Sequence, residues 1–284
     1  MNTNKKVLIV GLGLIGGSYA TRLTELGYEV GAIDLNPQSI EYALNKGIIA
    51  HGNSQVEKDY IAQFDLIVFA LYPKTFIKWI EQYSRYFKNG AILTDVTGVK
   101  STVVYKVQEL LPKGVEFIGA HPMAGTENSG VSNSTSKIFN GANFIITPTE
   151  RNQKETVEFC SQLAKEMGFG KISVISPKVH DEIIGFLSQL AHCIAISLMC
   201  CKQSEELSYY SGDSFRDLTR IAKINDKMWS ELFLLNKTAL VEQIDKFTKT
   251  LNQLREYIEL GDEEGMREMM RTSTQNRIKF DKKD

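Results

Sequence analysis

A short apolar run at positions 6–10 (KVLIV) ends abruptly on Gly11-Leu12-Gly13-Leu14-Ile15-Gly16, and residues 14–26 then carry apolar side chains at helical spacing. A G-x-G-x-x-G segment is weak evidence alone, but a strand before it and a helix after it are the context a dinucleotide requires. The first glycine permits the tight turn and the second lets backbone approach a pyrophosphate. The third lets helix pack on strand, while the helix N-terminus offers oriented N–H donors. Asp34 closes the next strand-like run, EVGAI at 29–33. A carboxylate there accepts hydrogen bonds from both ribose hydroxyls of NAD and repels the 2′-phosphate of NADP. No arginine follows it closely; the next residues are Leu35, Asn36 and Pro37. Without a ligand the same residues make a glycine turn and a solvated Asp. Ala70, at the end of the strand pattern over 64–71, falls on the same sheet edge and is placed on the cofactor, unless it belongs to an ordinary strand-to-helix loop.

Beyond this unit, strand patterns at 91–94, 117–120, 143–147 and 172–175 alternate with helical ones at 37–45, 101–111 and 155–167. That alternation predicts βαβ units and a parallel sheet with helices on both faces. After Pro177 no convincing strand remains, and long helical patterns fill 182–201, 228–260 and 262–275. The boundary is set near 175. The stretch 182–201 is apolar nearly all round, which predicts a helix buried on every side. It contains Ser, Gln and His, and no uninterrupted apolar run approaches the ~18 residues of a membrane span. Two lysines precede the first apolar run as in a signal peptide, but glycines break that run and no small-residue cleavage site follows.

The charge is nearly balanced, with 33 Lys and Arg against 34 Asp and Glu. No bulk basic field attracts nucleic acid or anionic lipid, so an anionic ligand has to be held by locally placed donors. Cys160, Cys193, Cys200 and Cys201 form no C-x-x-C pair. Their spacing fits neither a disulfide framework nor a zinc knuckle and reads as buried free thiols in a reducing cytoplasm; no metal site is expected.

Two further strand ends carry unusual polar residues, Thr94-Asp95-Val96-Thr97-Gly98-Val99-Lys100-Ser101 and Gly119-Ala120-His121-Pro122-Met123-Ala124-Gly125-Thr126-Glu127. His121 follows an apolar strand and is fixed by Pro122. Such an imidazole can take a proton from a substrate hydroxyl near neutral pH, although a lone histidine in a loop is more often satisfied by backbone. His51 and His180 receive that structural reading.

GLGLIGGS, DVTGVKS, GAHPMAGTENSG and FRDLTRIAKINDKMW, in this order, resemble the prephenate dehydrogenase family, including its arogenate-using relatives. The resemblance runs from about residue 6 to about 258. It implies fold class α/β: a Rossmann-like doubly wound NAD-binding domain over 1–175, then an all-helical substrate and dimerisation domain over 176–284. It also implies NAD-dependent oxidative decarboxylation of prephenate to 4-hydroxyphenylpyruvate in tyrosine biosynthesis, in a cytoplasmic homodimer. Arogenate is the alternative substrate. About 26 residues follow the resemblance, too few for a fused mutase or regulatory domain.

His121 matches the family's catalytic histidine. Arg220, read alone, is a helix-surface ion-pair former with Asp217; the resemblance makes it the substrate-carboxylate arginine, a role that suits a guanidinium fork. His192, otherwise a core residue bonded to backbone, becomes a substrate contact along with Gln189, Ser188 and Thr126. Trp229 either lines the pocket or packs in the core. Many relatives carry serine where this chain has Gly98, which leaves Thr97, Ser101 or water in its place; Thr97 is assigned to the cofactor with Gly11 to Gly16, Asp34 and Ala70. A β-hydroxyacid or imine reductase shares the two-part plan but needs a catalytic lysine or aspartate where this chain has Ser188, Gln189 and His192. A nucleotide-sensing module without turnover would leave His121 and Arg220 idle.

Overall fold

The structure, a computed structural model, describes residues 5–126, 128–202 and 205–281, so Glu127 of the histidine motif lies outside the described residues. The first unit runs β1 (Lys6–Val10), α1 (Leu14–Glu25), β2 (Glu29–Ile33), α2 (Pro37–Asn45), β3 (His51–Asn53), α3 (Lys58–Ile61) and β4 (Leu66–Phe69). It continues through α4 (Pro73–Tyr83), β5 (Ile92–Asp95), α5 (Ser101–Leu110), β6 (Glu116–Met123), β7 (Asn143–Thr147), α6 (Lys154–Met167) and β8 (Lys171–Val174). The strands form one eight-stranded sheet in the order β3-β2-β1-β4-β5-β6-β7-β8.

Alternation along β1 shows why the sheet sits in the middle. Val7 and Ile9 join a core with Tyr19, Leu23, Ile40 and Leu163 on one face. Leu8 and Val10 join a second core with Phe76, Trp79, Val103 and Val107 on the other. Each such aliphatic side chain contributes ~1.5–3 kcal/mol on burial, so a strand apolar on both sides is stable only between two helical layers.

The sheet corrects the all-parallel expectation. β7 pairs antiparallel with β6, from Gly119↔Thr147 to Met123↔Asn143. A parallel return would need a crossover helix. The described residues between β6 and β7 form only short 3₁₀ turns, and the Thr135 amide donates to Ser18 Oγ of α1 at 3.0 Å. β3 is a second departure. His51 lies on this edge strand rather than in a loop, with Nδ1 2.8 Å from the Tyr60 hydroxyl and Nε2 3.2 Å from Glu29.

From Pro177 onward every described element is helical: α7 (Pro177–Ile184), a wider π-type turn over Gly185–Leu190, α8 (Ala191–Cys201), α9 (Asp213–Thr219), α10 (Asp226–Leu235), α11 (Lys237–Leu260) and α12 (Glu263–Ile278). The single helix expected over 228–260 breaks at Asn236. There the backbone leaves helical angles (φ −111°, ψ 24°), and the side-chain amide donates to Asp181 O (2.9 Å) and Gln189 Oε1 (2.7 Å).

The stretch Pro177–Cys201 corrects the expectation of burial on every side: it passes a membrane-span test by length and composition only, and 28% of its most apolar window is buried in the chain. Its inner face (His180, Asp181, Ile184, Gln189, Ala195) packs on the protein, while Phe186 and Leu187 face outward. The thiols diverge too: Cys160 is buried, but Cys200 and Cys201 are exposed.

Candidate active site

β1 and β4 are neighbours, and the loops leaving them part in opposite directions across the sheet. In open α/β sheets that divergence opens a crevice at the carboxyl ends of the strands. Here the crevice is a cavity of about 800 Å³, floored by Gly13–Gly16, Ala70–Pro73, Val96–Gly98 and His121–Thr126 and roofed by Ser188, His192, Lys223, Asn225 and Trp229.

The glycine loop is built as its spacing requires. Gly11 has φ +96°, and a Cβ there would stand 2.6 Å from Ala70 O. A Cβ on Gly16 would stand 1.9 Å from Gly11 O, so the loop closes only because both positions lack one. Gly13 differs: nothing lies within 4 Å of where its Cβ would be, and it opens on the cavity. Gly13 caps α1 without a side-chain hydrogen bond, so the first-turn amides face this cradle. Asp34 Oδ2 accepts from Leu12 N at 2.6 Å and Oδ1 from Asn36 N at 2.8 Å. Each oxygen keeps a lone pair for a further donor. A phosphate cradle beside an oriented carboxylate fits a dinucleotide. Gly11, Leu12 and Asp34 shape this loop without lining the cavity; Leu14, Ile15, Gly16 and Ala70 line it.

His121 lies on β6, partly buried. Its Nδ1 is 2.9 Å from His180 Nε2, and His180 Nδ1 is 2.8 Å from Asp181 Oδ1. The two Asp181 oxygens accept the Lys100 and Ser101 amides, both at 2.8 Å, at the start of α5. Beneath them Lys100 and Asp95 form a fully buried ion pair of 2.6 Å, and Asp95 Oδ1 accepts the Ala120 amide at 3.0 Å. Burial pushes the His121 pKa well below the ordinary histidine value, and the neighbouring His180 and Lys100 push it further down. Burial lowers His180 also, only partly offset by its bond to Asp181. For Asp181 burial alone would raise the carboxyl, but the hydrogen bonds from His180 and Ser101 hold it below the usual range. These surroundings favour the uncharged form of the imidazole at the cavity floor.

On the helical side, His192 Nδ1 donates to Ser188 O at 2.9 Å, and its ring packs on Trp229 at a tilt of 30° with centroids 3.7 Å apart. Trp229 therefore lines the pocket. Thr126 lies exposed at the rim. Three expected site residues are placed differently from the rest. The Thr97 hydroxyl points inward, to Asp95 and to Val99 O at 2.9 Å, so only the rest of the residue faces the cavity. Gln189 is buried at the cavity wall, and its amide already bonds Leu232 O (3.4 Å) and Asn236, within the helical part. Arg220 is exposed at the start of a short turn and does not line the cavity. Its neighbours Ile221 and Lys223 do, and its charge helps to depress His192, after burial. Ser101 is bonded to Asp181 and does not replace the missing serine either. At Gly98 itself a Cβ would sit 3.8 Å from His121 Cε1, in ordinary contact.

Sequence reasoning missed His180, Asp181, Lys223 and Asn225. Asn225 donates to the Tyr72 hydroxyl at 3.2 Å, and Glu231 accepts the Lys74 amide at 2.7 Å, so the helical part clasps the β4–α4 loop. The His180-Asp181 dipeptide behind Pro177 was the only available signal, and nothing in its spacing ties it to position 121.

A glycine-loop sheet closed by a helical unit over a neutral histidine defines a Rossmann-type oxidoreductase. The family models described as "Prephenate dehydrogenase, nucleotide-binding domain" and "Prephenate dehydrogenase, dimerization domain" match residues 19–173 and 176–272. The chain is 28% identical to the prephenate dehydrogenase of Bacillus subtilis, over 94% of this chain and 74% of that protein. It is also 28% identical to the cyclohexadienyl dehydrogenase of Zymomonas mobilis, over 98% and 97%. A crystal structure of prephenate dehydrogenase from A. aeolicus, in complex with hydroxyphenyl propionate and NAD+, superposes with a TM-score of 0.90 at 33% identity, covering 98% of both chains. The chain belongs to the prephenate dehydrogenase family and is a dehydrogenase of its prephenate/arogenate group.

Proposed function

We propose that this chain is an NAD-dependent prephenate dehydrogenase that converts prephenate to 4-hydroxyphenylpyruvate and carbon dioxide on the route to tyrosine. The observation that carries the reading is His121: a neutral imidazole whose free ring nitrogen faces a cavity between the α1 cradle and the His192–Trp229 wall. NAD, when bound, accepts the hydride from the ring carbon bearing the hydroxyl. Residues 1–175 would hold it, Gly11 to Gly16 taking the pyrophosphate, Asp34 the ribose hydroxyls and Ala70 the ribose side. Its specificity for NAD rests on Asp34, with no arginine following.

His121 accepts the hydroxyl proton as that oxygen becomes a carbonyl. The ring carboxylate leaves as carbon dioxide, the electrons of its bond complete an aromatic ring, and the carbonyl oxygen, now a phenolate, takes the proton back. That gain drives the step, so the chain has to supply only position, a proton acceptor and carboxylate anchors. Arg220, reaching in from the mouth beside Lys223, grips a carboxylate, and Ser188, His192 and Thr126 complete the walls. Residues 176–284 carry these groups and the homodimer contact of a cytoplasmic enzyme. Following NADH absorbance with prephenate and NAD tests the reading, and parallel rates on arogenate decide the side chain. Prephenate is expected to turn over faster; absence of NADH from both substrates would overturn the proposal.

A further inference from the structure

The geometry points to a positioning role for two residues outside the reacting shell: Asp181 and His180 form a buried chain that fixes the tautomer of His121, so that its Nε2 meets the substrate as a bare acceptor. This rests on the proposed reading that His121 is the base.

Asp181 accepts two backbone amides and His180 Nδ1, all at 2.8 Å. An ionised carboxylate only accepts, so His180 Nδ1 carries the proton. In a neutral ring the other nitrogen is then bare, and His180 Nε2 accepts. Its neighbour at 2.9 Å, His121 Nδ1, has to donate. That leaves no proton on His121 Nε2, the nitrogen without a partner among the described residues. The opposite arrangement needs His180 doubly protonated while fully buried with the Lys100 ammonium nearby, which burial and like charge both oppose. When the substrate O–H bond breaks, its proton goes to His121 Nε2 while Nδ1–H stays on its bond to His180. No proton need travel along the chain, and the imidazolium Nδ1–H keeps an acceptor in His180, which Asp181 holds in place. Because α7 belongs to the helical part and His121 to the sheet, docking of the two parts orients the base.

Two variants of the full chain separate this role from packing. The end of a glutamine side chain reaches the place of His180 Nε2 and can accept from His121; asparagine reaches only the place of Nδ1. With prephenate and NAD, His180→Gln is expected to keep kcat within about tenfold, whereas His180→Asn loses ~10²-fold in kcat with KM and NAD affinity unchanged. Nitrogen-15 NMR of the histidine rings, which needs no turnover, is expected to show His121 protonated at Nδ1 in the wild type and no longer held so in His180→Asn. Wild-type kcat in His180→Asn, equal losses in both variants, or His121 protonated at Nε2 in the wild type would overturn the proposal. If the wild type oxidises neither prephenate nor arogenate, the functional reading fails, and the ring tautomer still decides the relay.

Discussion

Gly13 and Gly16 belong to one loop and respond to a methyl group in opposite ways. At Gly16 the added carbon collides with the Gly11 carbonyl, whereas at Gly13 it enters open space where the cradle faces its ligand. Gly13→Ala is therefore expected to melt like wild type and to lose NAD affinity by calorimetry, and Gly16→Ala to lose both stability and affinity. Wild-type NAD affinity in Gly13→Ala would contradict the cradle assignment. Protonation at His121 has a definite sign. Its folded pKa lies below the ordinary ~6.5, so the active neutral form persists below that pH and kcat/KM declines only in more acid solution. The unfolded chain binds protons at His121 and His180 first, so stability also falls as pH drops below ~6.5. Denaturant melts at two pH values check this; greater stability at pH 5 than at pH 7.5 would refute it. The glycines, Asp34 and His121 were legible because turn sterics, a strand-end carboxylate and a proline-fixed imidazole are local signals. His180 was not, since its meaning comes from a ring brought to it by the fold.

At the scale of elements, the β5–α5 turn is held by groups from three directions. The Lys100–Asp95 pair lies beneath it, the Ala120 amide of β6 bonds Asp95, and Asp181 of α7 caps α5. Removing one partner of a buried pair leaves an uncompensated charge, so Lys100→Met is expected to destabilise by ~3–5 kcal/mol. Thermal melts check this, and a loss under 1 kcal/mol would refute the argument. Periodicity located every strand except β3 and placed α2 at its observed ends, since those patterns follow burial directly. It could not give the direction of β7, which depends on where residues 124–142 run. Nor could it find the break at Asn236, which depends on partners in α7 and the π-type turn.

For the molecule as a whole, the apolar stretch 177–201 packs one side on its own chain and leaves Phe186 at 54% and Leu187 at 49% exposure. Exposed apolar surface of this kind marks an interaction face, and residues 176–272 match a dimerization domain. Sedimentation at micromolar concentration is expected to show a species of twice 32.0 kDa, and a monomer would argue against the dimer. Sequence pattern read this helix as buried on all sides because composition reports apolar surface without saying which chain covers it. The most direct test of the account is NADH production from prephenate and NAD by wild type and His121→Asn, each with NAD affinity measured alongside. The account predicts unchanged NAD affinity and a ~10²–10⁴-fold loss of kcat in the variant; turnover equal to wild type would contradict it.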